Sequence, residues 1–320
     1  MRYKDWHSKA LSLSDQGMSG RQIADILNMG KTQVNDVLKY YREHGNLSED
    51  IIQSVEEQQE GAKILLFDLE TAPELYMGFG RYKQNIQEDF VYRNSFIMSY
   101  SAKWLNGDAI SSVGLPHYDS YKEDPYDDYQ LCLDLHKLLS ECDWAIAHNI
   151  KFDWKTANTR FVYHGLDPIS PTKLIDTLNI AKANFRFPTN RLETIARYLE
   201  VGQKLPHTGA KMWRDCYDGD MEAWQLMIDY NVVDVEVLEA VYLKLRAYDR
   251  RHPNAALYYK DQDVRCVCCG SPRLVETDKK AYTSVSEFDV YQCQDCGKHN
   301  RARKNRFTKE KRESLLMNVQ

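Results

Sequence analysis

Short apolar runs alternate with amphipathic stretches between residues 63 and 249, and this order constrains the fold more than any other feature of the sequence. Three strand-length runs come first, "AKILLFDLETA", "SFIMSYSAKWL" and "AISSVGL", with "NGD" as a hairpin turn before the third. The strands "DWAIAHN" and "KLIDT" then alternate with helical segments. Three strands in hairpin order followed by alternating helices and strands predict an α/β fold with a mixed sheet flanked by helices.

Four segments carry the helical pattern around these strands. "DDYQLCLDLHKLLSEC" is amphipathic, and "FDWKTANTRFVYHG" should end at Gly165. "NRLETIARYLEV" should be capped by Thr189 or Asn190, and a long helix should run from Met221 to about Asp249.

Charge is distributed unevenly along the chain. The formal net charge is -5, yet residues 1–46 carry +2, residues 47–259 carry -11 and residues 260–320 carry +4. Basic ends around an acidic centre are typical of DNA-contacting segments that flank a carboxylate-rich site, although ordinary surface variation gives the same pattern.

The sequence shows no sign of membrane insertion or secretion. Its longest apolar runs fall short of the roughly 20 residues that a membrane helix needs. The opening "MRYKDWHSKA" lacks the apolar core of a signal peptide. We therefore expect a soluble protein in the cytoplasm with no membrane partner.

Three acidic patterns lie in the predicted α/β segment. Asp68 and Glu70 are two residues apart at a strand end, so both should point to one face of the sheet. Asp153 begins a helix, and Tyr230 and Asp234 are four apart on one helix face. Each pattern alone is common, and an Asp at a helix start is more often a cap than a ligand. Their order and their predicted proximity indicate one site.

The segments "FDLETA", "HNIKFDWK" and "YNVVD" resemble the three motifs of the DEDD superfamily of 3′–5′ exonucleases. Because Tyr230 precedes Asp234 by four residues, the chain is similar to the tyrosine subclass of that superfamily. The resemblance covers about residues 63–249. It implies an RNase H-like fold and hydrolysis of DNA from a free 3′ end to 5′-mononucleotides, and the arrangement looks like bacteriophage enzymes of replication, proofreading or repair.

The resemblance also implies a role for each acidic residue. Two Mg²⁺ or Mn²⁺ ions would be held by carboxylates, which hard cations prefer. Asp68 would bridge both ions, Glu70 and Asp234 would complete one of them, and Asp153 would hold the other. Tyr230 would orient the attacking water, because a phenol with an unperturbed pKa of about 10 is a poor base at pH 7.

Neighbouring residues have structural interpretations. We expect Asp176 to be structural, and His148 and Asn149 to hold the strand end rather than to bind metal. Phe152 fits a core position better than a stacking position. By the resemblance, Leu69 could pack on the terminal base.

The C-terminal part contains two cysteine pairs with the spacing of a zinc site. Two CxxC pairs separated by 23 residues match a four-thiolate Zn²⁺ site slightly wider than usual. Flanking strand patterns make the segment similar to a zinc ribbon with one structural Zn²⁺. Cys268 leaves the ligand set open, since it could replace a neighbour. The predicted ligands are Cys266, Cys269, Cys293 and Cys296.

Both ends of the chain are candidates for DNA contact. "GRQIADILNMGKTQVNDVLKYY" resembles the helix-turn-helix of resolvase-like and transposon proteins, with Ser19 as N-cap and Gly30 at the end of its middle helix. Eight Lys and Arg lie in residues 298–312, as a phosphate-contacting arm or a solvated tail. The predicted contacts are Lys31, Thr32, Gln33, Asn35, Arg301, Arg303, Lys304 and Arg306.

These features predict five segments and one main function. The function is a metal-dependent 3′–5′ exodeoxyribonuclease that binds single-stranded DNA or 3′ ends, with a DNA polymerase as a further partner to test. The alternatives are a 3′–5′ exoribonuclease, an RNase-H-like recombinase or transposase, and a non-catalytic DNA-binding regulator. The segments are a helix-turn-helix (1–46), a linker (47–62), the exonuclease domain (63–259), a zinc ribbon (260–300) and a basic tail (301–320).

Overall fold

The computed structural model of the protein describes residues 6, 10, 13–14, 18–44, 61–80, 82–83, 85–203 and 209–319. Most of the predicted first helix, in residues 5–17, and the predicted linker up to residue 60 lie outside the described residues. Contacts divide the chain into two compact units. The first comprises Met1–Gln58, Lys63–Asn179 and Phe187–Val241, and the second comprises Gln59–Ala62, Ile180–Arg186 and Tyr242–Gln320.

Two helices pack together near the N-terminus, α1 (Gly20–Ile26) and α2 (Lys31–His44). Ser19 caps α1 in a capping box with Gln22, so two amides at the helix start are satisfied reciprocally. The buried residues of this cluster are Ala10, Ile23, Ala24, Val34 and Leu38.

The end of α1 differs from the prediction. The helix stops at Ile26, and Asn28 adopts a left-handed φ of 51°. Asn tolerates this conformation better than most residues, so it turns the chain where Gly30 was expected to do so. Gly30 instead directly precedes α2, and its carbonyl accepts from the Val34 amide.

A five-stranded mixed sheet forms the centre of the first unit, with the order β5-β4-β1-β6-β7. Strand β1 pairs antiparallel with β4 and parallel with β6. Leu65, Leu66 and Phe67 are fully buried, which fits a central strand covered on both faces. The predicted mixed sheet flanked by helices is thus confirmed. The strands are β1 (Ile64–Thr71), β2 (Leu75–Tyr76), β3 (Val91–Arg93), β4 (Ile97–Trp104), β5 (Ile110–Gly114), β6 (Trp144–Ala147) and β7 (Lys173–Asp176), of which β2 and β3 form a separate pair.

Helices accompany this sheet, and α5 and α8 each contain a boundary between the two units. Neither α5 nor α7 was predicted from the sequence. The N-cap of α6 is Arg191, not Thr189 or Asn190, although the Thr189 hydroxyl accepts from the Arg191 amide at 3.4 Å. The helices are α3 (Tyr129–Glu141), α4 (Ile150–Tyr163), α5 (Thr177–Asn184), α6 (Leu192–Tyr198), α7 (Ala210–Tyr217) and α8 (Met221–Leu245).

The second unit contains a small antiparallel sheet with the order β10-β9-β8. Its strands are β8 (Leu274–Thr283), β9 (Ser286–Cys293) and β10 (His299–Arg301), and a short helix α9 (Lys309–Glu313) follows. The contact division starts this unit's main segment at Tyr242, inside α8, and the predicted domain limits stay predictions. Over the described part of the chain, no helix is both long and apolar enough to cross a membrane.

Candidate active site

Strand β1 carries Asp68 and Glu70 on one face. Side chains alternate along a strand, so residues two apart share a face while Leu69 points the other way into the core. The strand pairs with β4 along nearly its whole length, which fixes Asp68 opposite Ser101 and Glu70 opposite Ser99.

Strand β6 pairs with only the first part of β1. The backbone amide of Leu69, further along β1, is therefore available to hydrogen-bond with Asp153. Pairing between β1 and β6 ends at Leu66 and Ile146. The chain turns at Asn149, with φ 72°, and enters α4. The Leu69 amide then donates to Asp153 Oδ1 at 3.3 Å instead of to a strand. Asp153 therefore both satisfies a buried amide and lies beside the carboxylates of β1.

Helix α8 supplies the other side of the site. Asp234 is buried, and Tyr230 lies one helical turn before it on the same face. The Asn231 side-chain amide donates to Asp68 Oδ2 at 2.7 Å and ties the helix to the strand. One carboxylate oxygen each from Asp68, Glu70 and Asp234 lie within 4.8 Å of one another. Tertiary folding thus brings three of the predicted ligands together.

Asp153 has a perturbed protonation equilibrium. Burial, with a smaller contribution from the nearby Asp176 carboxylate, raises its pKa to about 7, although amide donors including Leu69 oppose the shift. A carboxyl group in this environment favours a nearby cation or a proton over a bare charge.

An open pocket of about 320 Å³ adjoins the acidic cluster. His148, on its wall, is held by the Thr177 hydroxyl at 2.9 Å and the Asn190 carbonyl at 2.8 Å. Both ring nitrogens are therefore engaged by protein, as expected for a residue that holds the strand end. The pocket is lined by Asp68, His148, Arg191, Leu192, Glu193 and Tyr230.

The structure also shows the positions of three neighbouring residues whose roles were predicted from the sequence. Asp176 Oδ1 accepts from the amides of Asn149 and Leu178 at 3.0 and 2.9 Å, so its role is structural. Leu69 is buried in the core rather than presented to the pocket. Phe152, expected in the core, is 50% exposed, and that expectation was wrong.

The acidic residues fit a site for hard divalent cations. Three carboxylates this close repel one another unless protons or cations offset their charge. Oxygen donors in this number suit Mg²⁺ or Mn²⁺, with water and substrate oxygens completing the coordination. Asp68, Glu70 and Asp234 would hold such an ion. Asp153 lies next to them, because it accepts a hydrogen bond from the backbone amide of Leu69.

The four predicted zinc ligands also come together. Their sulfur atoms lie within 4.8 Å of one another, and the Cys266–Cys296 and Cys269–Cys293 Sγ–Sγ distances are both 3.6 Å. A tetrahedral site with bonds of 2.3 Å has edges of roughly 3.8 Å, whereas a disulfide is about 2.05 Å long. The Cys268 amide donates to Cys266 Sγ at 3.4 Å. The arrangement fits Zn²⁺.

The N-terminal residues predicted to contact DNA all lie near the start of α2, but two of their side chains contact other parts of the protein. Lys31, Thr32 and Gln33 are exposed in the first turn of α2. Gln33 Oε1 accepts from the Gly30 amide at 3.3 Å. Asn35 is exposed as well, but its side-chain oxygen lies against Gly20 of α1.

The C-terminal candidates differ in the same way. Arg301, Arg303 and Lys304 are exposed, and the Arg301 guanidinium lies 4.2 Å from the centroid of the Phe288 ring. Arg306 forms ion pairs with Glu287 and Asp289, so its charge is largely offset within the sheet.

Residues 103–246 match the family model RNase_H_2 of the RNase_H superfamily. The match contains Asp153, Tyr230 and Asp234 and begins after β1. Together with the observed sheet it confirms the predicted RNase H-like fold and supports a nuclease. No curated protein matches the chain.

Solved structures with detectable likeness include RNase D from Trypanosoma brucei. That structure is 14% identical, covers 62% of this chain and 62% of its own, and superposes with a TM-score of 0.36. Its GMP complex is 13% identical over 67% of this chain and 58% of its own, also at 0.36. The mariner Mos1 paired end complex with Mg is 11% identical over 76% and 77%, at 0.18. The chain thus spans 62% of the first RNase D structure's length.

Proposed function

We propose that the protein is a metal-dependent 3′–5′ exonuclease of the tyrosine subclass, which hydrolyses DNA from a free 3′ end and releases 5′-mononucleotides. The observation that carries the proposal is the meeting of Asp68, Glu70 and Asp234 within 4.8 Å. Tyr230 lines the pocket beside these carboxylates. Asp153 accepts a hydrogen bond from the amide of Leu69, the residue between Asp68 and Glu70.

The side chains divide the work as follows. Divalent cations, when bound, stabilise charge on the phosphate and favour formation of the nucleophile. Asp68, Glu70, Asp153 and Asp234 would hold those cations. The Asn231 amide orients Asp68 before any ion binds. Tyr230 positions the attacking water through its hydroxyl group.

Residues 260–300, within the second unit, are proposed to form a zinc ribbon with one structural Zn²⁺ on Cys266, Cys269, Cys293 and Cys296. Gly270 and Gly297 follow the two pairs with φ of 75° and 76°, and their amides donate to the carbonyls of Cys266 and Cys293. Such tight turns are typical of paired thiolate ligands. DNA contact through α2 and through the basic tail, service in phage replication, proofreading or repair, and a polymerase partner are further proposals.

The test uses single-stranded DNA labelled at its 5′ end, incubated with Mg²⁺ or Mn²⁺ and resolved on a sequencing gel. Wild-type protein should give a ladder that shortens from the 3′ end. Asp234→Asn should lower the rate about 1000-fold, because the site loses a charged ligand worth several kcal/mol. Glu222→Gln is the matched control, since Glu222 is exposed on the same helix. Equal activity of Asp234→Asn and wild type would refute the proposal.

A matched RNA decides the substrate. Faster shortening of RNA than of DNA would replace the proposal by an exoribonuclease. Strand transfer on a specific DNA end, with no ladder, would favour the transposase alternative. A folded protein that binds DNA and neither cleaves nor transfers it would favour the regulator.

A further inference from the structure

The second unit contains a large open cleft that the proposed active site does not use. Its volume is about 930 Å³, near the upper end of the range for ligand pockets. The end of α8 and the turn that follows it form one part of the lining, and the segment around the second cysteine pair forms another. The residues that line it are Asn184, Leu243, Lys244, Ala247, Tyr248, Arg250, Gln292, Cys296, Gly297, Lys298 and His299.

The charged side chains that line the cleft are cationic, with the proposed zinc ligand Cys296 as the exception. Its lining includes Lys244, Arg250, Lys298 and His299 but no Asp or Glu. Lys244 and Arg250 are exposed. Lys298 Nζ donates to the Asp249 carbonyl at 2.6 Å, which holds the ammonium group in place without offsetting its charge. Among the described residues, these three cations form no ion pair, unlike Arg306 on the neighbouring sheet.

The charge of the whole second unit reinforces this local pattern. The unit has 19 Lys and Arg against 11 Asp and Glu, a net charge of +8. The first unit has 23 against 36, a net charge of -13. Cations that line a concave surface focus the field and attract polyanions. The net positive charge of the second unit therefore favours the approach of a polyanion to it.

An exposed aromatic ring in the cleft favours a nucleic-acid strand over an acidic peptide as the ligand. Tyr248 is 60% exposed at the cleft and makes an edge contact with Phe185, with ring centroids 5.0 Å apart. This contact restrains the Tyr248 ring while leaving much of the side chain open. Cations beside an aromatic platform suit a strand whose phosphates and unpaired bases are both accessible. An acidic peptide would use the cations but not the platform.

We infer that this cleft binds a single strand of nucleic acid, with phosphates against Lys244, Arg250 and Lys298 and a base against Tyr248. The site is separate from the acidic cluster. It does not depend on hydrolysis, and it adds a binding surface to those predicted at α2 and in the basic tail.

Binding is measured by fluorescence anisotropy with fluorescein-labelled oligo(dT) of 20 nucleotides. The zinc-loaded full chain carries Asp234→Asn throughout, so that cleavage does not interfere. Lys244→Gln with Arg250→Gln should weaken binding about tenfold at moderate salt. It should also reduce the slope of log K against log salt by about 1.4, which is 0.7 for each lost phosphate contact.

The control is Lys260→Gln with Lys279→Gln, which removes the same charge from exposed residues of the same unit that do not line the cleft. Zinc content and melting temperature show that both double variants remain folded. Equal affinities and salt slopes for the two double variants would overturn the inference. So would competition by polyglutamate as strong as competition by unlabelled oligo(dT), because the ligand would then be an acidic protein segment.

The aromatic contact has its own test. Tyr248→Phe should bind like the parent, because the stacking face is kept. Tyr248→Leu should bind about tenfold more weakly, within the range for loss of one stacked base. Equal binding by the two variants would remove the base contact from the inference. Neither test depends on hydrolysis, so a failed exonuclease assay would not affect them.

Discussion

At the scale of single residues, Asp153 combines two roles that can be separated. It accepts the Leu69 amide at 3.3 Å and lies beside the acidic cluster. Asp153→Asn keeps an acceptor oxygen, whereas Asp153→Ala leaves a buried amide unsatisfied. Both changes remove the same charge, so we expect Asp153→Ala to be less stable than Asp153→Asn by about 1–3 kcal/mol.

Urea unfolding of the two variants measures that difference, and the ladder assay measures activity. Both variants should lose most exonuclease activity, because neither holds a cation with a charged oxygen. Equal stability would mean that the Leu69 amide does not depend on Asp153. Full activity of Asp153→Asn would remove Asp153 from the metal site.

Tyr230 gives a second residue-scale prediction. Tyr230→Phe removes only the hydroxyl and keeps the ring, which packs edge-on against Trp213 with the ring centroids 6.5 Å apart. We expect kcat to fall about 100-fold with little change in KM, because the water is less well positioned. Tyr198→Phe, on the 64% exposed Tyr198, is the control and should be neutral. A Tyr230→Phe enzyme as fast as wild type would exclude the water-positioning role.

The candidate site could be predicted only in part from the sequence. Asp68 with Glu70, and Tyr230 with Asp234, follow strand and helix periodicities that a sequence displays directly. Arg191 and the pocket residues of α6 carry no such signal. They line the pocket together with Asp68 of β1 only because of the tertiary fold, and no local pattern encodes that proximity.

At the scale of secondary structure elements, a buried carboxylate joins three of them. Asp128 accepts from the Ile97 amide of β4 at 2.9 Å and from Arg160 of α4 at 2.6 and 2.8 Å. It precedes α3 directly, and it also contacts His164 at 2.6 Å. Asp128 is fully buried, and its three donors outweigh the cost of burial.

These donors make the stability of the fold depend on pH. Burial opposes ionisation, but hydrogen bonds from Arg160, Ile97 and His164 leave the pKa of Asp128 below its usual value. A lowered carboxyl pKa stabilises the fold above the unfolded value of about 3.9, and this contribution is lost as pH falls through the folded value. Asp128→Asn should therefore cost about 3 kcal/mol at pH 7, and this cost should shrink as pH falls through the lowered pKa of Asp128.

Urea unfolding at pH 7 and at pH 3 checks the prediction. Asp119→Asn is the control, because Asp119 pairs with Lys122 on an exposed surface and should contribute less than about 1 kcal/mol at either pH. A cost for Asp128→Asn that is the same at both pH values would contradict the ionic origin of the effect.

Elements differed in how well their sequences predicted them. Long strands such as β1 and β4 were predicted, because β1 begins with the apolar run Ile64–Phe67 and apolar residues alternate with Ser and Lys along β4. Helix α7 has only eight residues, and its buried face consists of Met212 and Cys216, so the helical period is displayed only once. Strands β2 and β3 are shorter still, and both residues of β2 are exposed. Such short elements depend on tertiary contacts more than on local sequence.

At the scale of the whole molecule, the charge division became clear only with the fold. The sequence segment 260–320 carries +4, but the second unit carries +8, because residues 180–186 add +2, residues 242–259 add +3 and residues 59–62 add -1. The two units therefore differ in the sign of their net charge. Our proposals place cation binding in the acidic unit and phosphate binding in the basic unit.

The last prediction concerns the two units and zinc. The sheet of the second unit has few buried side chains, with Phe288 and Val290 the main apolar ones on β9, so the thiolate site should supply much of its stability. Cys269→Ala should therefore lose zinc and the amide exchange protection of β9. Strand β4, in the core of the first unit, should keep its protection.

Cys268→Ala is the matched control, because Cys268 is buried next to the site but outside the group of four sulfurs, and it should retain one zinc per chain. Loss of zinc from Cys268→Ala with retention by Cys269→Ala would reassign the ligand, and equal loss of protection in β4 and β9 would show that the two units unfold together.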